Sequence, residues 1–294
     1  MPSVLTQPPD RNPKKPQLAL PPGSIDTHIH LFGPAAQYPF HPGSKYISED
    51  ALPETQIQQQ DVLGLAGAVV ISGGGYGQST RHLEDVLASF GERFRGVALL
   101  PDDATLADIH RLDALGVRGV RFVGESHRGA LPRLNKRIAA VIAEFGWHVQ
   151  FYPGPEDLLE KSAALLDLPT PIVLDHFACV PAEGGIDQPA FKGLLKMLDT
   201  GRVWVKLSGP MRCTPGDFPY APVTPLARAL VAHAPQRLLW GSDWPHVNMN
   251  GRAMPNDGDL VDLISEWIDD EATLRTILVD NPQQLYGKFG KRID

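Results

Sequence analysis

The stretch SIDTHIHLFGP, Ser24 to Pro34, sets two imidazoles, His28 and His30, one residue apart at the end of an apolar run. On an extended strand residues i and i+2 face the same way, so both rings can point to one place. An imidazole that titrates near neutral pH serves as metal ligand, proton carrier or hydrogen-bonding group. Two buried rings need partners, because a buried polar group left unpaired costs ~1–3 kcal/mol. Candidates stand at the ends of later apolar runs. IVLDHF carries Asp175 and His176, LLWGSDWPH carries Asp243 with His246 just beyond, and GVRGVRF carries Arg121 with His127 and Arg128 after it. Tyr152 ends HVQFYP, and Arg212 follows VKLSGP.

Of these, His176 and Asp243 are the natural partners for His28 and His30. Three histidines and one carboxylate are enough to hold a Zn²⁺ ion, which would bring the pKa of a bound water to about 7. The same set can act without metal, the carboxylate taking a proton from water while polar groups stabilise a developing oxyanion. Arg121 and Arg212 can pair with carboxylates through two parallel hydrogen bonds. They also concentrate positive potential in a chain of formal charge −7, which an anionic substrate would need.

Other chemistries find little support. No GxSxG elbow is present, and neither Cys179 nor Cys213 stands in a nucleophile context or a CxxC pair, so both read as small buried thiols. The loop SGGGYGQST, Ser72 to Thr80, is neither GxGxxG nor a Walker loop; its backbone N–H groups are expected beside the substrate. His82, His110, His148 and His233 read as structural. Lys206, in WVKLSG, is open to either face of its strand.

The elements that must position these residues alternate along the chain. Short runs rich in Val, Ile and Leu fall at 25–30, 66–72, 95–100, 117–123, 148–153, 171–177, 202–208 and 237–243, as strands buried on both faces require. Between them lie segments with apolar residues three and four apart, at 80–90, 104–115, 132–146, 155–167, 188–201, 222–234 and 259–269. The first crossover, 31–65, is longer and partly irregular. Eight strands with crossovers and a terminal helix predict a single α/β domain, a (β/α)8 or TIM barrel spanning 24–294. In that fold chemistry sits at the carboxyl ends of the strands, where the residues above fall. Residues 1–23 hold seven prolines and are expected to form a flexible, poorly ordered Pro-rich tail.

Composition narrows the class. At 43% hydrophobic and 21% charged residues, the chain matches ordinary globular proteins. Without a basic run there is no surface for nucleic acid. No apolar stretch approaches the roughly 18 residues a membrane helix needs, and the N-terminus lacks a signal-peptide core, so a cytoplasmic protein is expected.

Five motifs in order, IDTHIHLFGP, GVRGVRF, IVLDHF, VKLSGP and LLWGSDWPH, resemble the amidohydrolase superfamily in its amidohydrolase-related (type 2) branch, and within it most of all the 2-pyrone-4,6-dicarboxylate lactonases. The resemblance runs from about Ile25 to Tyr286. It implies opening of a cyclic ester, a small anionic lactone, by water. Asp243 would be the general base, and His28, His30 and His176 would surround the scissile carbonyl. Arg121, Tyr152, Arg212 and Tyr46 would hold substrate, with Arg128 and His246 as further contacts. Where those lactonases carry a serine after strand two this chain has Gly74, and their second strand-four arginine aligns nearest His127, beside Arg128. The implied substrate is therefore a carboxylated lactone, the pyrone dicarboxylate or a sugar-acid lactone of catabolism. The resemblance implies no required metal, with one Zn²⁺ on His28, His30, His176 and Asp243 as the option. A zinc-dependent non-oxidative decarboxylase, a lactone isomerase and a non-catalytic acid-binding barrel are the competing readings. Oligomeric state stays open.

Overall fold

The protein was analysed as a computed structural model, which describes residues 4–124, 131–154 and 156–290. Eight parallel strands stand in chain order: β1 (Ile25–Ile29), β2 (Gly67–Ile71), β3 (Phe94–Ala98), β4 (Val117–Val123), β5 (His148–Tyr152), β6 (Ile172–Leu174), β7 (Val203–Ser208) and β8 (Leu238–Gly241). The ring closes between the last and the first strand: Asp243 N–H donates to the His28 carbonyl at 2.9 Å, and His30 N–H donates to the Trp244 carbonyl at 2.7 Å. The expected (β/α)8 barrel is thus the fold, and all eight strands lie where the apolar runs placed them, within a few residues.

The helices between strands form where apolar stripes meet good ends. The helix Leu106–Leu115 starts with a reciprocal cap between Thr105 and Asp108 and stops at Gly116, whose φ of 99° suits glycine. The helix Lys136–Ala143 is capped by the Asn135 side chain, which accepts from the N–H groups of Arg137 and Ile138. One helix carries no apolar stripe and is missed by periodicity: Pro53–Leu63 buries Gln56, Gln59 and Gln60. Gln60 on its polar face accepts two hydrogen bonds from the Arg93 guanidinium at 3.0 and 2.9 Å.

The N-terminal segment departs from the expected flexible tail. Val4–Leu5 pairs in parallel with Tyr46–Ile47, and Thr6 N–H donates to the Ile47 carbonyl at 2.8 Å. Further along, Lys14 N–H donates to Asn256 Oδ1 at 2.9 Å, and the N–H groups of Gln17 and Leu18 share Asp262 Oδ1. Proline removes donors but leaves an extended chain, and that chain is strapped along the barrel by the donors that remain. Among the described residues no helix is long and apolar enough to cross a membrane.

Candidate active site

His28 and His30 both reach the carboxyl end of β1, as their spacing requires. The pairing of β1 with β2 changes register between Asp26 and Ile29, an irregularity of the kind that re-aims side chains beside active sites. β6 ends after Leu174, short of the run to 177 read from the sequence. From there His176, Phe177, Ala178 and Cys179 take φ of 52°, 52°, 56° and 52°, four successive left-handed residues of which none is glycine. Such backbone costs roughly 1–2 kcal/mol per residue, and strain of this kind concentrates at functional sites. It swings His176 back over the barrel mouth. Asp243 is also left-handed, at φ 69°. Gly209 closes the arrangement: a Cβ there would lie 2.7 Å from His176 Nδ1 and 3.2 Å from Asp243 Oδ2, so only glycine lets strands seven, six and eight converge.

The product is one cavity of about 320 Å³ at the barrel mouth, lined among others by His30, Tyr46, Arg121, Tyr152, His176, Arg212 and Asp243. Seven of the ten residues singled out by sequence therefore share one space. His28 lies beneath it, fully buried, with Nε2 3.7 Å from Asp243 Oδ1 and Nδ1 3.3 Å from Asp175 Oδ1. His246 does not reach the cavity. Its left-handed φ of 58° turns the ring into the protein, where Nε2 meets Asp257 Oδ1 at 3.1 Å, so its expected contact with substrate is corrected to a structural one. Arg128, like His127, lies outside the described residues. The glycine loop does border the cavity at Gly74, but Cβ atoms on Gly73 and Gly75 would strike Phe32 and Phe40 at 2.5 Å. Close packing under aromatic rings is what those two glycines permit.

Asp243 is gripped on one side only. Arg212 donates Nε–H and Nη2–H to Oδ2 at 2.9 and 2.8 Å, and Nη2 also reaches the Val247 carbonyl at 2.7 Å. The other oxygen, Oδ1, faces the Nε2 atoms of His28, His30 and His176 at 3.7, 3.7 and 3.9 Å. Burial pushes the Asp243 carboxyl up, but Arg212 together with the imidazoles of His176, His28 and His30 outweighs it and holds the group well below the usual carboxylate range. Burial pushes His30 and His176 down to about 4, so both rings are neutral at pH 7. His30 Nδ1 lies 2.9 Å from the Ile71 carbonyl, which can only accept. The proton therefore sits on Nδ1, and Nε2 offers a lone pair to the cavity.

Beneath this layer lie two residues that the sequence names but does not assign to the site. Asp175 is fully buried and ties the site together: its Oδ2 accepts from Arg121 Nε and Nη2, both at 2.9 Å, and its Oδ1 faces His28. Lys206 points inward with no exposure, donating to the Thr27 carbonyl at 2.7 Å and Gln150 Oε1 at 2.9 Å, with Asp175 Oδ1 at 3.9 Å. Burial lowers its ammonium to about 7. Tyr46 accepts from Gly75 N–H at 3.2 Å, and burial pushes its phenol up to about 12, so its own proton stays on the oxygen. Cys179 and Cys213 are buried free thiols, as expected.

The donor set fits one divalent ion: His28, His30 and Asp243 place ligand atoms within 4.8 Å of one another, and so do His28, Asp175 and His176. A His30 ring whose Nδ1–H is engaged by a carbonyl is the tautomer a metal ligand adopts. Charge weighs against it, since each carboxylate is already matched by its own guanidinium and Lys206 adds a further cation.

The comparisons with known proteins agree with this fold. The amidohydrolase family pattern matches residues 25–288. A 2-pyrone-4,6-dicarboxylate hydrolase of Comamonas testosteroni is 37% identical over 290 residues, covering 94% of this chain and 93% of its own. A 4-sulfomuconolactone hydrolase of Hydrogenophaga intermedia is 34% identical, covering 94% and 92%. A crystal structure from Agrobacterium tumefaciens superimposes with a TM-score of 0.82 at 28% identity, covering 92% of this chain and 98% of its own. With the five motifs in place at the ends of five of the eight strands and the family pattern spanning residues 25–288, the chain belongs to the amidohydrolase family.

Proposed function

We propose that the protein opens a small carboxylated lactone by hydrolysis, with Asp243 as the base that takes a proton from the attacking water. The observation that carries this reading is the one-sided grip on Asp243. Arg212 fixes one oxygen and keeps the group ionised, while Oδ1 and the bare Nε2 of His30 face the same point. A water held among acceptors alone must donate both its protons, which leaves its lone pairs directed at the substrate. A positioned carboxylate base contributes about 10²–10⁴-fold in rate.

The oxyanion needs donors, and His30 cannot be one while its proton is spent on Ile71. The Tyr46 hydroxyl, which accepts from Gly75 and keeps its proton, and the Arg121 and Arg212 guanidinium groups on the cavity wall take that part, usually the largest electrostatic contribution. Tyr152 lies under the Arg121 guanidinium, 4.9 Å from its ring centre, and orients it. His28, locked between Asp175 and Asp243, positions the base from below.

A divalent ion, if bound, would be held by His28, His30, His176 and Asp243 and would supply a more acidic water. The reaction is assigned no required metal, because both carboxylates are already neutralised by arginine. The activities for which the two hydrolase relatives are named, on a pyrone dicarboxylate and on a sulfomuconolactone, support a role in catabolism of ring-derived acids. The two buried free cysteines support a reducing, cytoplasmic setting. A screen of carboxylated lactones, followed by acid release and product mass, tests the proposal: hydrolysis adds one water and liberates a proton, whereas isomerisation does neither. Turnover without water uptake would replace hydrolysis with acyl migration on the same residues.

A further inference from the structure

We infer that Lys45 is a second anion-binding point at the cavity rim, selecting lactones that carry a further anionic substituent away from the scissile ester. The inference rests on the lactone reading above and adds a residue and a substrate class to it.

The argument begins with the charges on the cavity wall. Arg121 spends Nε and Nη2 on Asp175, and Arg212 spends the same two nitrogens on Asp243 and Val247. These four side chains sum to no net charge, and each guanidinium already answers a buried carboxylate. Among the described residues lining the cavity, Lys45 is the cation whose ammonium forms no ion pair or hydrogen bond. Unlike the two arginines it is exposed, so it stands at the mouth rather than on the floor where Asp243 lies. An anion it meets is therefore the substituent farthest from the carbonyl under attack.

Its backbone is held while its side chain is not. The Lys45 carbonyl accepts from Val4 N–H at 3.2 Å, the next two residues pair with Val4–Leu5, and Ser44 Oγ donates to the Tyr46 carbonyl at 2.6 Å. Neighbouring Tyr46 enters the floor of the same cavity, so the strand Tyr46–Ile47 and the residue just before it carry one contact for the reacting end and one for the far end. Asn248 and Asn250, on the same rim, offer neutral amide donors beside it.

Binding of two unreactive rings separates this from a general loss of affinity. Calorimetry at low salt compares pyridine-2-carboxylate with pyridine-2,4-dicarboxylate on the full chain, its Lys45→Met variant and its Lys45→Arg variant. The expected result is that Lys45→Met weakens the dicarboxylate about fivefold, as removal of a solvent-facing ion pair should. The monocarboxylate should change less than twofold, Lys45→Arg should keep the preference, and 0.5 M salt, with a screening length well under about 8 Å, should erase it. Equal weakening of both rings, unchanged binding of the dicarboxylate, or a wild-type chain with no preference for two charges would overturn the inference. Failure of the lactone reading shows itself separately, as a wild-type chain that prefers the dicarboxylate ring and hydrolyses no lactone.

Discussion

Arg212 gives two N–H donors to a single oxygen of Asp243, at 2.9 and 2.8 Å, and leaves the other oxygen to three imidazoles. That division of labour separates holding the base from using it. Asp243→Asn keeps the shape and an oxygen for Arg212 but removes the basic lone pair. Turnover should fall by at least ~10²-fold in a variant that still folds, with a lower melting temperature because Arg212 loses its buried counter-charge. Steady-state rates of the purified variant, beside its circular dichroism, check this; an unchanged kcat would remove Asp243 from the mechanism.

Acid should drain stability before it reaches the carboxylates. His30 and His176 are pushed down to about 4 by burial, against an ordinary value near 6.5 in the unfolded chain. Between pH 6.5 and 4 the unfolded chain takes up protons that the native rings refuse, so their contribution is complete above 6.5 and lost as pH falls. His148, pushed to about 3 by burial, adds to the same slope. Thermal melts from pH 8 to 4 should decline through this window, and His30→Gln should make the decline shallower. An identical slope in that variant counts against a neutral, buried His30.

Asp26 works in the opposite sense. Burial raises its carboxyl to about 7, although His28 N–H and Ser242 N–H donate to Oδ1 at 3.0 and 3.1 Å. A group protonated in the fold and ionised in the unfolded chain contributes fully below pH 3.8 and loses that contribution as pH rises through about 7. Asn in its place still accepts both bonds and never ionises. Asp26→Asn should therefore melt higher than wild type at pH 8 and equal to it at pH 4; a gain of the same size at both pH values would point to packing instead.

How much of this was legible in the sequence depends on whether a residue's direction follows from its strand. His28 and His30 sit at i and i+2, so their convergence was readable, and the eight apolar runs gave the barrel on whose rim they meet. Asp175 was not readable as a partner, because on a regular strand it would point away from its neighbour His176. The two share the site only because β6 stops at Leu174 and the chain turns left-handed at His176, while Asp175 itself keeps extended backbone at φ −74° and ψ 147°. His246 failed for the mirror reason: a left-handed residue after β8 sends it to Asp257. Lys206 looked equally able to face out, and only the buried acceptors Thr27 and Gln150 explain why it faces in. The helix Pro53–Leu63 escaped periodicity because its buried face is glutamine.

The N-terminal strap should matter to substrate affinity more than to chemistry. Val4–Leu5 supplies the hydrogen bonds that hold Tyr46–Ile47 and the Lys45 carbonyl, yet it touches neither Asp243 nor the histidines. A chain lacking residues 1–9 should show a raised KM, several-fold or more, with kcat changed less than that. A drop confined to kcat would mean that the strand supports the base rather than the binding wall.

Chelation decides between two uses of the same four ligands. Three Nε2 atoms lie 3.7–3.9 Å from Asp243 Oδ1, close enough to contract around an ion, while Arg121, Arg212 and Lys206 already balance the buried carboxylates. Bringing two more positive charges into a buried cluster without a free anion is costly, because the low local dielectric magnifies repulsion. Enzyme dialysed against EDTA, with metal content measured on the same sample, should keep most of its lactone turnover at less than about 0.1 zinc per chain, and added Zn²⁺ should not raise it. Loss of activity that zinc restores would reassign His30 and His176 from facing the water, and His28 from supporting the base, to holding metal. It would also turn Arg212 into the group that orients a metal-bound carboxylate, since ligands of this kind are commonly fixed by a hydrogen-bonding neighbour.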